Sequence, residues 1–337
     1  MKRLRKSPNK IILLYIAAAA LLVSAALLGM LLGSTELSLS EILRALWSSE
    51  DGSVTSRILW NVRFPRSLAA LLCGAALSVS GAVIQNVLAN RLASPGIIGV
   101  NAGAGLAVTL CSAFGIIGGW SLSLFAFLGA FLTVLAVSLG AKRFGASNGT
   151  VLLIGVALNS LLGAISDTVI TLDPDVGILQ NDFRIGDFSF ITPTSLLPAS
   201  VLILFSLAIL CLLGNVLDVL SLGEDSARGL GLNTSLVRVL FLMLAAILAG
   251  TAVSLAGLLS FVGLLVPHAI RRLGITESRH LLPLCALFGA AFVALCDILA
   301  RILFAPFEIP VGIIMAFLGA PFFLYLLLRR KGGDHRA

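Results

Sequence analysis

Ten long apolar runs dominate the chain, near residues 11–33, 67–88, 96–117, 121–141, 150–171, 194–216, 237–256, 257–270, 281–300 and 310–328, each bounded by charge, proline or a glycine cluster. A helix needs about 20 apolar residues to cross about 30 Å of hydrocarbon, and most of the runs approach that length. The run at 257–270 is short, and Pro267 marks a helix break within it. The pattern predicts an all-α, polytopic integral membrane protein of about ten transmembrane helices. The longest polar stretches, 33–66 and 172–193, are too short for a core of their own, so residues 1–337 read as a single transmembrane domain. Within the first stretch, LSLSEILRALW suits a short helix lying at the outer surface.

Composition strengthens this reading. The chain is 58% hydrophobic and 12% charged, with a mean hydropathy of +1.07, whereas soluble proteins carry about 25% charged residues. KRLRK followed by an apolar stretch resembles a secretory signal, but the stretch is longer than a signal core, so it reads as a retained first helix. With the N-terminus inside, 17 of the 23 lysines and arginines fall at inner ends and loops. The outer side keeps only Arg44, Arg57, Arg63, Arg66, Arg184 and Arg301, an asymmetry that supports an even number of spans with both termini cytoplasmic. The net charge of +7 is then topology, and no basic groove with interleaved aromatics invites nucleic acid.

Catalytic chemistry is absent from the pattern. No phosphate-cradling glycine loop, nucleophile elbow or histidine pair at metal spacing occurs, and the five cysteines sit singly in apolar runs. The chain reads as a non-enzyme with no bound cofactor or metal. Its chemistry lies instead in a few polar groups. Residues 218–233 contain SLGEDSARGLG, where Glu224, Asp225 and Arg228 stand beside Leu222, Ala227 and Leu230. This suits either a short two-faced helix for gripping another protein or a solvated loop.

In the second span, Ala70, Gly74, Ser78 and Ala82 recur every four residues, a spacing that lets helices approach closely and predicts a helix surrounded by protein. Gln85 and Asn86 near its inner end call either for interhelical hydrogen bonds or for a wet path. The fifth span carries Asn159, Ser160, Ser166, Asp167 and Thr168, a stripe suited to a water-filled cavity or to interhelical bonding. Gln85, Asn86, Asn159, Ser160 and Asp167 are therefore candidates for a translocation path. Asp297, four residues before Arg301, reads as a structural ion pair.

Four segments carry a family resemblance: VRFPRSLAALLCGAALSVSGAVIQNVLANRLASPGIIGVNAGA at 62–104, SLGEDSARGLG at 221–231, AGLLSFVGLLVPHAIRRL at 256–273, and DILARILFAPFEIPVGIIMAFLGAPFFLYLLLRR at 297–330. Together they resemble the permease subunits of ATP-binding-cassette importers for iron-siderophores, haem and cobalamin, over nearly the whole chain. The resemblance implies a type II importer permease fold in a bacterial cytoplasmic membrane. It also implies a second permease subunit, identical or homologous, two cytoplasmic ATPase subunits that use the ATP, and an extracytoplasmic substrate-binding protein. By this resemblance Ser221, Leu222, Gly223, Glu224, Ala227, Arg228 and Gly231 belong to the ATPase-coupling segment, and Arg63, Arg66 and Arg301 receive acidic knobs of the binding protein.

The implied substrate is first a ferric siderophore, with cobalamin or haem as alternatives. A proton-coupled secondary transporter using Asp167 is the reading from another class. Three segments depart from the family pattern: Asn90–Arg91–Leu92–Ala93 lacks a proline, ITESRH at 275–280 replaces a common G-x-D-H-R, and FRIGDFSF at 183–190 lacks a tryptophan.

Overall fold

The computed structural model describes residues 8–35, 40, 53–116, 119–143, 148–189 and 191–330. Of the outer-surface helix expected at 37–47, only Ser40 lies within the described residues. All regular structure among the described residues is helical. In chain order, α1 is Pro8–Leu31, α2 is Val54–Val87 with a π turn at Leu59–Arg63, α3 is Val100–Ala113, and α4 is Gly119–Arg143. Next come α5, Asn148–Leu172, α6, Val176–Ile185, α7, Pro193–Leu212, α8, Gly214–Leu220, and α9, Glu224–Gly229. The last four are α10, Thr234–Ala256, α11, Val262–Arg272, α12, Ser278–Ile302, and α13, Val311–Arg330.

Seven of these (α1, α2, α4, α5, α7, α10 and α12) are long and apolar enough to cross a membrane. The shorter apolar helices α3 and α13 and the 11-residue α11 account for the remaining three predicted runs. Burial sorts them. The apolar stretch of α2 is 89% buried within the chain, against 11% for α1 and 17% for α5. Thus α2 is the axis of the bundle, and α1 and α5 lie at its outside.

The small residues of α2 explain its position. Gly74 meets the backbone of Gly289 in α12, and a Cβ placed on Gly289 would stand 2.5 Å from both the Gly74 carbonyl oxygen and Ser78 Cβ. One turn or two further on, Gly81 meets the backbone of Gly263 in α11. These glycine contacts bring backbones together and replace the hydrophobic drive that lipid does not supply.

The eighth predicted run forms α11, an 11-residue helix that is not among those long and apolar enough to cross a membrane, and it differs from expectation at Pro267. The helix break falls at 257–261, where α10 ends on Gly257 (φ +70°) and α11 starts after Phe261 (φ +68°). Helix α11 then continues without interruption through Pro267. Proline removes the N–H that would bond the carbonyl four residues back, here that of Gly263, and the side chain of Gln85 donates to this carbonyl at 2.9 Å instead. The missing bond is supplied from α2, so the helix need not stop.

The departures from the family pattern also find their places. The turn at 90–93 closes without a proline, because Asn90 accepts from the Leu92 N–H at 2.9 Å and its carbonyl from the Ala93 N–H at 3.1 Å. The described part of segment 183–190, residues 183–189, is clamped against the end of α10 and the start of α13 by bonds from Asp187 N to Ala256 O (2.9 Å), Leu258 N to Phe183 O (2.9 Å) and Gly312 N to Gly186 O (3.1 Å). Phe188 within it is fully buried.

Candidate coupling segment and translocation surface

Helix α9 projects from one end of the bundle between two glycines in left-handed or extended positive-φ geometry, Gly223 (φ +103°) and Gly231 (φ +82°). A side chain at either would meet open space, so backbone conformation and not crowding asks for glycine. Glu224 and Asp225 occupy its first turn and Arg228 its last, the arrangement the helix dipole favours. The Glu224 carboxylate accepts from Arg228 at 2.6 Å and from Arg238 of α10 at 3.0 Å. The hydrogen bond from Arg238, followed by the nearby arginine charges, holds the Glu224 carboxyl below the usual carboxylate range against a smaller opposing effect of burial.

Ala227 is fully buried against the bundle, whereas Leu222 and Leu230 are 54% and 68% exposed. The apolar face expected of this turn is therefore divided: one residue seats the helix and two are offered outward. Ser221 closes the entry to the segment by donating to Asp218 O at 2.7 Å.

The polar stripe of α5 is also divided. Asn159 turns inward and donates to the carbonyls of Gly96 and Ile97 at 2.9 and 3.2 Å, fastening α5 to the turn before α3. Ser160 and Asp167 stay exposed. Asp167, Thr168 and Thr171, with Ala164 and Leu172, line an open concavity of about 430 Å³. Around this stripe Leu153, Leu161 and Leu172 are 70%, 56% and 82% exposed, so α5 presents a continuous uncovered face in the single chain.

Gln85 and Asn86 are not on that face. Gln85 is 2% exposed, and both side chains accept from Arg271 at the end of α11, Asn86 at 2.9 Å. Asn86 in turn donates to Ser278 Oγ at 3.1 Å. Of the two readings left open by the sequence, the structure gives them interhelical bonding.

The opposite end of the bundle holds the three outer arginines, and all are buried: Arg63 is 3%, Arg66 4% and Arg301 2% exposed. Arg63 donates to the carbonyls of Met30, Leu31 and Thr35 at 3.0, 2.7 and 2.6 Å, capping the end of α1. Arg66 bonds Asp297 at 2.9 Å and Glu308 at 2.5 Å and lies 3.8 Å from Asp187. Arg301 lies 3.1 Å from the other Asp297 oxygen and donates to Gly29 O at 3.1 Å. The Asp297–Arg301 pair is as expected, but Arg66 joins it. In this arrangement the three arginines are braces within the chain, and the more accessible charged groups beside them are Asp187 and Glu308. Burial raises the Glu308 carboxyl, yet hydrogen bonds from Ser34 and Arg66 outweigh it and leave the group below its ordinary range.

The match to known proteins covers nearly the whole of this architecture. The model of the FecCD transport family matches residues 20–329. The chain belongs to the FecCD transport family. The FecCD protein described here is 40% identical over 291 residues to "Vitamin B12 import system permease protein BtuC" of Yersinia enterocolitica, covering 85% of this chain and 86% of that one. It is 34% identical over 332 residues to "Uncharacterized ABC transporter permease protein YvrB" of Bacillus subtilis, covering 95% and 94%. Among solved structures it superposes with a TM-score of 0.84 at 31% identity on "An inward-facing conformation of a putative metal-chelate type ABC transporter", covering 94% of this chain and 99% of that one. As a FecCD member the chain is a multi-pass membrane permease with the type II importer permease fold.

Three residues with prominent roles in this FecCD permease were not singled out as site residues by the sequence: Asp218, Arg271 and Ser278, which share one bonded cluster. Their separation along the chain hides the cluster. The one local sign was the pairing of Pro267 with a basic helix end at Arg271 and Arg272.

Proposed function

We propose that the chain is the permease half of an ATP-driven importer of metal chelates. Two permease subunits, identical or homologous, pair through the uncovered face of α5 and enclose the path lined by Ser160 and Asp167. Two cytoplasmic ATPase subunits grip Ser221–Gly231 and consume the ATP, and this chain itself binds no cofactor. An extracytoplasmic protein delivers the substrate at the end of the bundle that holds Arg63, Arg66 and Arg301. Docking there has a stated requirement: a partner carboxylate reaches Arg66 by displacing Glu308, whose side chain is 29% exposed.

The observation that carries the proposal is α9 in a FecCD chain: a short helix, flanked by exposed Leu222 and Leu230, hinged on glycines and tethered to α10 through Glu224 and Arg238. A secondary transporter has no use for such a grip. For the substrate, the names of the Yersinia relatives support cobalamin. A ferric siderophore is the second reading, supported by the metal-chelate description of the structural neighbour.

The test is uptake of radiolabelled cyanocobalamin and of radiolabelled ferrichrome in cells that lack other routes for both and express this permease with the ATPase and binding protein that co-purify with it. Uptake of cyanocobalamin alone supports the first reading, and uptake of ferrichrome alone replaces it with the second. A permease that co-purifies with no ATPase contradicts the proposal as a whole.

A further inference from the structure

Asp218 lies in α8, directly ahead of the coupling segment. Its two carboxylate oxygens each accept from the backbone N–H of Ser278 at 3.0 Å, and one accepts from the Ser278 hydroxyl at 2.6 Å. Ser278 opens α12. The carboxylate thus satisfies a donor that a helix start leaves unpaired and places negative charge at the positive end of the helix dipole. The first residue of α8 adds a second point of contact, since a Cβ on Gly214 would stand 3.1 Å from Arg279 N. Helix α8 therefore rests on the start of α12 at two points one turn apart, Gly214 and Asp218.

From Ser278 the bonding continues without a gap. Asn86 Nδ2 donates to Ser278 Oγ at 3.1 Å, Arg271 Nη2 donates to Asn86 Oδ1 at 2.9 Å, Arg271 Nη1 donates to Gln85 Oε1, and Gln85 Nε2 donates to Gly263 O at 2.9 Å. Four elements meet in this series: α8, the first turn of α12, the last turn of α2 and both ends of α11. Each donor faces an acceptor, and within the series the Arg271 guanidinium and the Asp218 carboxylate stand on either side of the neutral Asn86–Ser278 bond. Such charge-assisted bonds are stronger than neutral ones, and in this partly buried setting they favour one arrangement over a range.

We infer that Asp218 is a positioning residue for transport: it joins the lead-in of the coupling helix to the ends of α12, α2 and α11, so that displacement of α9 reaches the axial helix α2. The inference rests on the importer reading. Backbone bonds carry α9 onto α8: the Gly223 N–H donates to Leu220 O at 3.3 Å, and the Gly223 carbonyl accepts from the Ala227 N–H at 3.0 Å. The apolar grip of α8, with Leu217 and Leu220 buried, resists removal but not sliding, because apolar contact is non-directional. The Asp218 bonds are directional and fix register. Motion can then pass as a rigid-body shift of packed elements, into α2 and the turn at 88–93 that follows it.

The experiment uses the complete complex of permease, ATPase and binding protein in proteoliposomes, and reads substrate moved per ATP hydrolysed, with radiolabelled cyanocobalamin and ferrichrome as probes. Asp218→Ala lowers this ratio by at least about fivefold, the scale expected when a charged hydrogen-bond acceptor is removed, while ATPase binding and hydrolysis stay near wild type. Asp218→Asn keeps an acceptor for Ser278 and restores most of the ratio. Ser278→Ala, which leaves its backbone N–H on Asp218 but cuts the link to Asn86, also lowers the ratio, and it carries the test if Asp218→Ala does not assemble. An unchanged ratio in Ser278→Ala, or transport and hydrolysis falling together in every assembled variant, overturns the inference. A wild-type complex that moves neither probe on addition of ATP overturns the importer reading instead, so the two failures are distinct.

Discussion

Replacing Asp297 by alanine removes the shared acceptor of two buried guanidinium groups. Its carboxylate is fully buried, with Arg66 Nε at 2.9 Å and Arg301 Nη2 at 3.1 Å. Arg66 would keep Glu308, but Arg301 would retain among its bonds only backbone carbonyls such as that of Gly29. Removing one partner from a buried ion pair costs about 3–5 kcal/mol, because the remaining charge stays desolvated. The lower end applies here, since Glu308 and the Gly29 carbonyl compensate in part. At roughly 2–4 °C per kcal/mol, the melting temperature falls by on the order of 10 °C. The assay is thermal unfolding of the detergent-purified permease, followed by size-exclusion recovery after heating. Adding Arg301→Met to Asp297→Ala recovers part of the loss, because it withdraws the stranded charge, and the pair of changes is less than additive. A fall of under about 2 °C for Asp297→Ala would show that the cluster is not a brace. Additive losses in the double variant would refute the argument about the stranded arginine.

Gly289→Leu forces α12 away from the Gly74 carbonyl and Ser78, and is expected to abolish recovery of monodisperse protein, whereas Gly140→Leu, at a position with open space, leaves recovery unchanged. Glu224→Gln at neutral pH weakens the α9 tether and lowers ATP-driven uptake by at most about fivefold, as fits a partly exposed pair. Because the Glu224 carboxyl titrates below its ordinary value, its contribution is complete above the ordinary carboxylate pKa and is lost only as pH falls through the lowered one. Wild type and Glu224→Gln should therefore converge in ATPase binding only in acid, and equal binding at neutral pH would remove the tether. In a cysteine-free background, Thr192→Cys is labelled from outside by an impermeant thiol reagent and Ser226→Cys only after permeabilisation; both positions are exposed in the chain, and labelling of Ser226→Cys in intact cells contradicts the assigned orientation.

What could be read from the sequence was what depends on local pattern. The runs that became α1, α4, α5 and α12 are continuous and apolar, and the four-residue spacing around Gly74 identified α2 as enclosed. Asp297 and Arg301 lie one helical turn apart, so their pairing was visible too. The boundary between the runs at 256 and 257 matches the end of α10, but the further break expected at Pro267 does not occur, because the bond that compensates for this proline comes from Gln85, 178 residues from the Gly263 carbonyl it reaches. The true break depends on positive φ at Gly257 and Phe261, and a phenylalanine gives no local sign of that.

Distance along the chain also concealed the roles of the outer arginines. Arg66 finds Asp297 across 231 residues, and Arg63 caps a helix that ends about thirty residues earlier, so the residues the family resemblance assigns to docking also make internal bonds in the folded chain. Likewise Asp218 and Ser278 are 60 residues apart, within the polar segments at 218–233 and 275–280, which the sequence gives no reason to join. The division of the α5 stripe, with Asn159 inward and Asp167 outward, follows from the turn at 96–97 that α5 packs against, which periodicity alone does not include.

The central claim is that ATP hydrolysis by partners gripping α9 drives transport through this permease. The most direct measurement is substrate uptake into proteoliposomes containing the purified complex, comparing enclosed or added ATP with an imposed proton gradient, for wild type and for Asp167→Asn. Uptake that follows ATP, ignores the gradient and persists in Asp167→Asn is the predicted result. Uptake driven by the proton gradient without ATP, and lost in Asp167→Asn, would contradict the account and make the chain a secondary transporter.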